Sequence, residues 1–196
     1  IRQARNLAVK ASLFVAVEKY ADKNIPAVKY AAADAREFAA VLEQHGFAPA
    51  DREILIDERA TKTSLESVIR TTLKRLTKND TLYFYYTGHG FSTNGGENYF
   101  TCCDTRPTDA EHTSMSVNWL IQQFKASPCQ RIVMFLDSCS THLSNEEWRT
   151  NCNEWNEVEL REFFETAEHC ACFTACRAGE YSHPSSALKH GIWAHH

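Results

Sequence analysis

The sequence predicts an α/β protein whose central sheet is mostly parallel and is covered by helices on both faces. Short apolar, β-branched or aromatic runs alternate along the chain with segments of helical periodicity, which is the pattern of such a fold. The continuous apolar run Ile132–Leu136 indicates a central strand, because a strand buried on both faces shows no polar alternation. With 196 residues and 43% apolar content, one compact domain spanning 1–196 is expected.

The other elements follow from local patterns. Strands are predicted over Ser12–Val17, Glu53–Ile56, Thr81–Tyr86 and Cys170–Cys176, with a small hairpin between Phe91 and Tyr99. Three helices are predicted. The first spans Ala31–His45, the second begins at a capping box formed by Thr63–Glu66, and the third spans about Ser116–Ala126. The acidic stretch of about 141–169 is interpreted as an exposed linker in which only the later part is helical.

Charge and hydropathy exclude several kinds of partner. The net charge is -4 and basic residues are scattered among acidic ones, so no nucleic-acid surface is predicted. The longest apolar candidate, Ala11–Val17, is far shorter than the roughly 18 residues of a membrane span. The eight cysteines lack the spacing of a disulfide framework, which favours reduced thiols and a cytoplasmic location.

Two of the predicted strands end in chemically unusual residues. His89 follows the aromatic strand and stands between Gly88 and Gly90, and Cys139 follows the central apolar strand. Ligands of open parallel sheets bind beyond the carboxyl ends of the strands. If the two strands are neighbours, the imidazole and the thiol meet across one crevice.

A cysteine next to a histidine provides the chemistry of a thiol nucleophile. A free thiol is only a few per cent ionised at neutral pH, so an imidazole is needed to accept its proton. Cys139 is therefore the candidate nucleophile and His89 the candidate acid/base. The small residues around His89 leave the Gly90 amide open to a developing oxyanion, with the Cys139 amide as a second donor.

The motif Thr87-Gly88-His89-Gly90, followed 50 residues later by Asp137-Ser138-Cys139-Ser140, resembles the caspase-like cysteine peptidases. The similarity covers nearly the whole chain and is greatest to metacaspases and prokaryotic caspase homologues. It implies a caspase-like three-layer sandwich and a cysteine endopeptidase that needs no organic cofactor. Some metacaspases use calcium, and the scattered acidic residues here give no sign for or against it.

The same resemblance predicts the substrate. In metacaspases an acid two residues before the cysteine, an acid on the first helix and a hydroxyl two residues before the histidine bind arginine or lysine. The matching positions are Asp137, Asp34 and Thr87. Two carboxylates in a partly desolvated pocket favour a guanidinium, so the expected partner is a protein or peptide cleaved after a basic residue.

Three alternatives stay open. Caspases cleave after aspartate with an arginine placed where this chain has Ser182–Pro184, and Arg177 lies close enough to keep that specificity in view. A catalytically silent caspase-like scaffold would keep the fold without the activity. A zinc-binding regulatory domain could use the cysteine-rich late strand, but His169 would point away from its cysteines, so structural thiols and no metal site are preferred.

Two further expectations concern regulation and extent. Arg149 and Arg161, in the acidic stretch, are candidate positions for activating cleavage. Additional domains or a regulatory protein are expected outside this chain, whose C-terminal end is expected to be cut short. The pair His190-Gly191 repeats the histidine-glycine pattern and could compete as the base, but it does not follow an apolar strand, and the resemblance places it in a framework segment before the final strand.

Overall fold

The computed structural model describes residues 7–139, 152–153, 158–175 and 184–191. In chain order its strands and helices are β1 Lys10–Ala16, α1 Ala31–Gln44, β2 Arg52–Ile56, α2 Lys62–Arg75, β3 Thr81–Thr93, β4 Asn98–Phe100, α3 Ala110–Thr113, β5 Met115–Ser116, α4 Val117–Ala126, β6 Arg131–Cys139, β7 Cys152–Asn153, α5 Val158–Thr166, β8 Cys170–Thr174, β9 Pro184–Ser185 and β10 His190–Gly191. This alternation of strands and helices confirms the predicted α/β class.

The central sheet has the strand order β2-β1-β3-β6-β8, and all of these neighbours pair in parallel. β3 lies in the middle, between β1 and β6. Beyond the sheet's carboxyl edge β3 continues into a smaller antiparallel region with β4 and β7, and β4 in turn pairs with β5. The sheet is therefore mostly parallel, as predicted, and the predicted hairpin is β3–β4.

Apolar side chains on the two faces of the sheet build two separate cores. One face packs against α1, where Phe14 and Tyr85 meet the small residues Ala35 and Ala39. The other face packs against α2, α4 and α5 through a larger cluster of aliphatic and aromatic side chains. Helices on both faces make a three-layer sandwich. Of the helices in the described ranges, none is long and apolar enough to cross a membrane.

β3 is longer than its apolar pattern predicts. The expected strand ended at Tyr86, whereas the observed strand runs on through His89 to Thr93. The additional residues are held because Gly90–Ser92 pair with Asn98–Phe100 of β4. His89 therefore lies inside a strand, where parallel pairing gives way to antiparallel pairing, and not in a loop after it.

The start of α2 differs from the predicted capping box at Thr63–Glu66. The N-cap is Thr61, whose backbone is extended and whose side chain accepts a hydrogen bond from the Ser64 amide. Glu66 does not close a box and pairs with Arg70 one turn later. Thr61 caps better because it stands just before the first helical residue, where the unpaired amides are accessible.

The later part of the acidic stretch is helical, as predicted, but it is not an exposed linker. In α5 the side chains of Leu160 and Phe163 are buried in the larger core. The acidic residues obscure this because the apolar pair lies on one helix face while the charged residues occupy the other. Residues 140–151 and 154–157 lie outside the described part of the chain.

Close packing around Gly88 yields a stability prediction. A Cβ added there would lie 2.5 Å from the hydroxyl oxygen of Tyr86, a fully buried ring that cannot move aside. Gly88→Ala is therefore expected to lower the free energy of unfolding by about 2 kcal/mol in urea denaturation. Gly95→Ala is the control, because the nearest heavy atom to its Cβ would be 3.6 Å away. Equal stability of the two variants would contradict the packing assignment.

Candidate active site

The register of β3 against β6 brings the two motif-bearing segments together. Thr87–His89 pairs residue by residue with Asp137–Cys139, so that His89 stands directly opposite Cys139. Neighbouring strands are about 4.8 Å apart, which places the two backbones within side-chain reach of each other. The backbone of Cys139 belongs to the described part of the chain and its side chain does not.

The imidazole of His89 is held by the segment between β1 and α1. Its Nε2 lies 2.8 Å from the carbonyl oxygen of Pro26. The ring of Tyr20 stacks on the imidazole with 5.4 Å between centroids and 19° between planes. The Tyr20 hydroxyl also accepts a hydrogen bond of 3.1 Å from the His89 amide. One tyrosine thus fixes both the ring and the backbone of this histidine.

The carbonyl of His89 is anchored from the opposite side. The Tyr86 hydroxyl lies 2.7 Å from this oxygen and donates to it, and the Thr101 hydroxyl donates to it over 2.9 Å. The Thr101 amide makes a third hydrogen bond, of 3.0 Å. These bonds satisfy the His89 carbonyl at the point where the parallel ladder with β6 ends.

Burial determines the protonation of His89. The residue is only 3% exposed, and desolvation lowers its pKa, with the Pro26 hydrogen bond acting in the opposite direction. Since a carbonyl only accepts, Nε2 carries the proton in the neutral ring, and the lone pair is on Nδ1. The environment therefore favours the neutral imidazole, in which Nδ1 is the nitrogen that can accept a proton.

The amide of Gly90 points away from β4. The Thr101 amide donates to the carbonyl of His89, which makes Gly90 and Phe100 a non-hydrogen-bonded pair of the antiparallel ladder. In such a pair both residues direct their backbone groups to the outer sides of the ladder. The Gly90 amide accordingly faces the side on which β6 lies.

The three predicted pocket residues are all buried near one another. Asp34 is 2% exposed, Thr87 1% and Asp137 5%. A Cβ built on Gly191 would lie 3.0 Å from Oδ2 of Asp34 and 3.3 Å from Oδ2 of Asp137, so the two carboxylates converge on this glycine. The structure brings together acids that are far apart in the chain.

Asp34 is bound by the β9–β10 hairpin. Its Oδ1 lies 2.7 Å from Nδ1 of His190, and its Oδ2 accepts a 3.0 Å hydrogen bond from the Gly191 amide. Burial raises the pKa of Asp34, and these two hydrogen bonds counteract that rise. The other ring nitrogen of His190 lies 2.8 Å from Glu37. His190, assigned above to the framework, thus orients a pocket acid.

Sequence patterns alone did not identify several of these contacts. Pro26 contributes only its backbone carbonyl, a group that every residue has, so the residue type does not reveal this contact. Tyr20 and Thr101 lie in segments without a motif. His190 carries the one available signal, since histidine next to glycine repeats the pattern at His89. Its partner on α1, however, is 156 positions away.

Five cysteines outside this site have side chains that the structure describes, and they divide into two groups. Cys102, Cys103 and Cys129 are buried free thiols, as expected of structural cysteines. Cys170 and Cys172 are only half-buried, which corrects the expectation of buried thiols on the late strand. Within the described ranges, no three acidic, histidine or cysteine side chains form a metal-binding group. Cys176, Arg177 and Ser182 lie outside those ranges.

Comparisons with known proteins agree with this architecture. The family model described as the caspase domain matches residues 9–192. A crystal structure of a protein from Geobacter sulfurreducens is similar in fold, with a TM-score of 0.69 and 15% sequence identity over 95% of this chain and 79% of that one. At this identity the likeness concerns the fold alone. No match was found among curated proteins.

The lowered pKa of His89 predicts a pH dependence of stability. Below the ordinary imidazole pKa of 6.5, the unfolded chain takes up a proton that the folded chain resists. The free energy of unfolding therefore falls as the pH drops below this value, by at most about 1.4 kcal/mol per pH unit for one group. Urea denaturation between pH 7.5 and 5 should show a smaller decline for His89→Gln than for the parent.

The matched control is His112→Gln, which removes an imidazole whose side chain is 79% exposed. We expect this variant to retain the pH dependence of the parent protein. Parallel stability curves for His89→Gln and the parent would refute the burial effect.

Proposed function

This chain belongs to the caspase-domain family of peptidases, and we propose that it is a cysteine endopeptidase that cleaves after arginine and, less efficiently, after lysine. The register that sets His89 opposite Cys139 carries the proposal. The burial and fixed orientation of the imidazole support it, because burial keeps the ring in the neutral form that a general base needs and the Pro26 carbonyl fixes the proton on Nε2.

In the proposed mechanism Cys139 transfers its thiol proton to Nδ1 of His89 and attacks the scissile carbonyl carbon. The imidazolium then carries protons on both nitrogens, and the Pro26 carbonyl stabilises its charge through Nε2. His89 returns the proton to the leaving amine as the C–N bond breaks. Water, deprotonated by the same imidazole, hydrolyses the resulting thioester and regenerates the thiol.

The oxyanion of the tetrahedral intermediate is expected to bind two backbone amides, those of Gly90 and Cys139. The orientation of the Gly90 amide, away from β4, supports its part in this role. Backbone donors held in a strand need little reorganisation when charge develops, which is the main source of such stabilisation.

Specificity for arginine follows from the carboxylates of Asp34 and Asp137, with the Thr87 hydroxyl as a third polar group. Both acids are almost inaccessible to solvent, and burial of two anions is costly unless a cation enters. A planar guanidinium can bridge two carboxylates, whereas an aspartate side chain would be repelled. The converging acids therefore favour the basic substrate over the alternative specificity for aspartate.

Activation by cleavage in the acidic stretch is part of the proposal, and Arg149 is the preferred position. Arg161 lies within α5, next to the buried Leu160, and peptidases cleave exposed, extended segments more readily than packed helices. Arg149 lies outside the described residues. An enzyme that is fully active as one intact band on a denaturing gel would remove this part of the proposal.

The central test is turnover of a fluorogenic arginyl peptide by the parent protein and by Cys139→Ala. We expect activity to fall at least about a thousandfold in the variant, because the reaction loses its nucleophile. Cys103→Ala is the matched control, since it removes a buried thiol that has no part in the proposed mechanism. If the folded parent protein neither turns over the peptide nor is labelled by a thiol-reactive arginyl peptide, the catalytically silent scaffold is favoured.

The charge of the pocket is tested with Asp137→Asn. Loss of one buried carboxylate should lower kcat/KM for arginyl peptides about a hundredfold, because the guanidinium loses half of its counter-charge. Peptides with a neutral glutamine at the cleavage position should be much less affected. Asp109→Asn, at a carboxylate that is 55% exposed, is the control. Preferred cleavage after aspartate by the parent would overturn this specificity.

A further inference from the structure

Tyr85 carries a buried hydroxyl for which the described part of the chain offers no hydrogen-bond partner. The residue is only 2% exposed. The Thr87 hydroxyl, two residues further along the same face of β3, is near enough to the phenol to act on its pKa as a hydrogen-bonding neighbour does, by lowering it. It does not form a hydrogen bond of acceptable geometry with it. An unpaired buried hydroxyl costs about 1–3 kcal/mol and therefore calls for an explanation.

The Tyr85 side chain lies on the sheet face that carries the predicted pocket residues Thr87 and Asp137. In the sheet, Tyr85 pairs with Phe14 of β1 and Phe135 of β6. The pair of Thr87 with Asp137 follows two residues later, so its side chains lie on the same face of the sheet as that of Tyr85. Desolvation raises the pKa of Tyr85, and the carboxylates of Asp137 and Asp34 raise it further. The phenol is thus close enough to both acids to sense their charge, and it stays protonated.

The position of the hydroxyl is fixed by the ring that carries it. Phe38 packs edge-on against the Tyr85 ring with 5.4 Å between centroids, and Phe14 packs at 6.0 Å. A ring held in this way cannot turn its hydroxyl toward solvent or toward another acceptor. The oxygen is preorganised for a group that enters the pocket from outside.

We infer that the Tyr85 hydroxyl is a specificity-determining group that accepts a hydrogen bond from the basic side chain bound between Asp34 and Asp137. The inference rests on the proposed function and adds a ligand to the same pocket. It accounts for the unpaired hydroxyl, because substrate binding supplies the missing donor. A site with a polar group waiting for a partner also rejects ligands that lack one.

This additional acceptor favours arginine over lysine. A guanidinium has five N–H donors in a rigid plane and can serve two carboxylates and a hydroxyl simultaneously. An ammonium has three donors on one nitrogen, which cannot reach acceptors spread around a planar site equally well. Loss of the hydroxyl should therefore weaken arginine binding more than lysine binding.

The first arm of the test measures stability without substrate. Tyr85→Phe should have a urea midpoint equal to or above that of the parent, because it removes an unpaired polar atom. Tyr86→Phe is the matched variant, and its midpoint should fall, because the Tyr86 hydroxyl bonds the carbonyls of His89 and Thr101. A clearly lower midpoint for Tyr85→Phe would show that the hydroxyl has an internal partner and overturn the inference.

The second arm measures binding in the Cys139→Ala protein, which cannot turn over substrate. Isothermal titration with a peptide containing one central arginine should give a dissociation constant about tenfold higher after Tyr85→Phe. For the matched lysyl peptide, the dissociation constant should rise about threefold or less after the same substitution. Tyr99→Phe, whose hydroxyl donates to Glu97 outside the pocket, should leave both constants unchanged.

The outcomes separate the two proposals. If the Cys139→Ala protein binds the arginyl peptide and Tyr85→Phe does not weaken that binding, the role of Tyr85 is wrong while the basic specificity stands. If the Cys139→Ala protein binds an aspartyl peptide and not the arginyl one, the proposed specificity fails and the inference fails with it.

Discussion

The parallel pairing of β3 with β6 is the constraint on which the candidate site depends. It holds His89 opposite Cys139 and Thr87 opposite Asp137 in one continuous register. Side chains alternate between the sheet faces, so a slip by one residue would move one member of each pair to the opposite face. The apolar residues before the motif prevent such a slip, because Leu82 and Ile132 would lose their place in the larger core.

The change from parallel to antiparallel pairing within β3 gives His89 its surroundings. A strand that ended at the sheet edge would leave the backbone of His89 to solvent. Here Tyr86 and Thr101 bond its carbonyl, Tyr20 bonds its amide, and Pro26 bonds its ring. Burial and orientation arise from the same contacts, and together they favour a neutral imidazole whose lone pair is on Nδ1.

The two buried acids Asp34 and Asp137 converge on Gly191 and show how buried carboxylates are tolerated. Asp34 keeps two hydrogen bonds from the β9–β10 hairpin, through His190 and the Gly191 amide. Gly191 has no side chain because a Cβ would press against both acids. The hairpin thus connects a late part of the chain to α1 and fixes one wall of the proposed specificity site.

Local sequence patterns determined the α/β class, most strands and helices, and His89 and Cys139 as candidates, because periodicity and motifs depend on neighbouring residues. They misplaced the start of α2, which depends on the Thr61 cap, and the packing of α5, which depends on the apolar face with Leu160 and Phe163. Only the tertiary structure placed Pro26 on His89, 63 positions away, and His190 on Asp34, 156 positions away. Backbone acceptors and long-range side-chain hydrogen bonds leave no local signature, since the fold alone sets their distances.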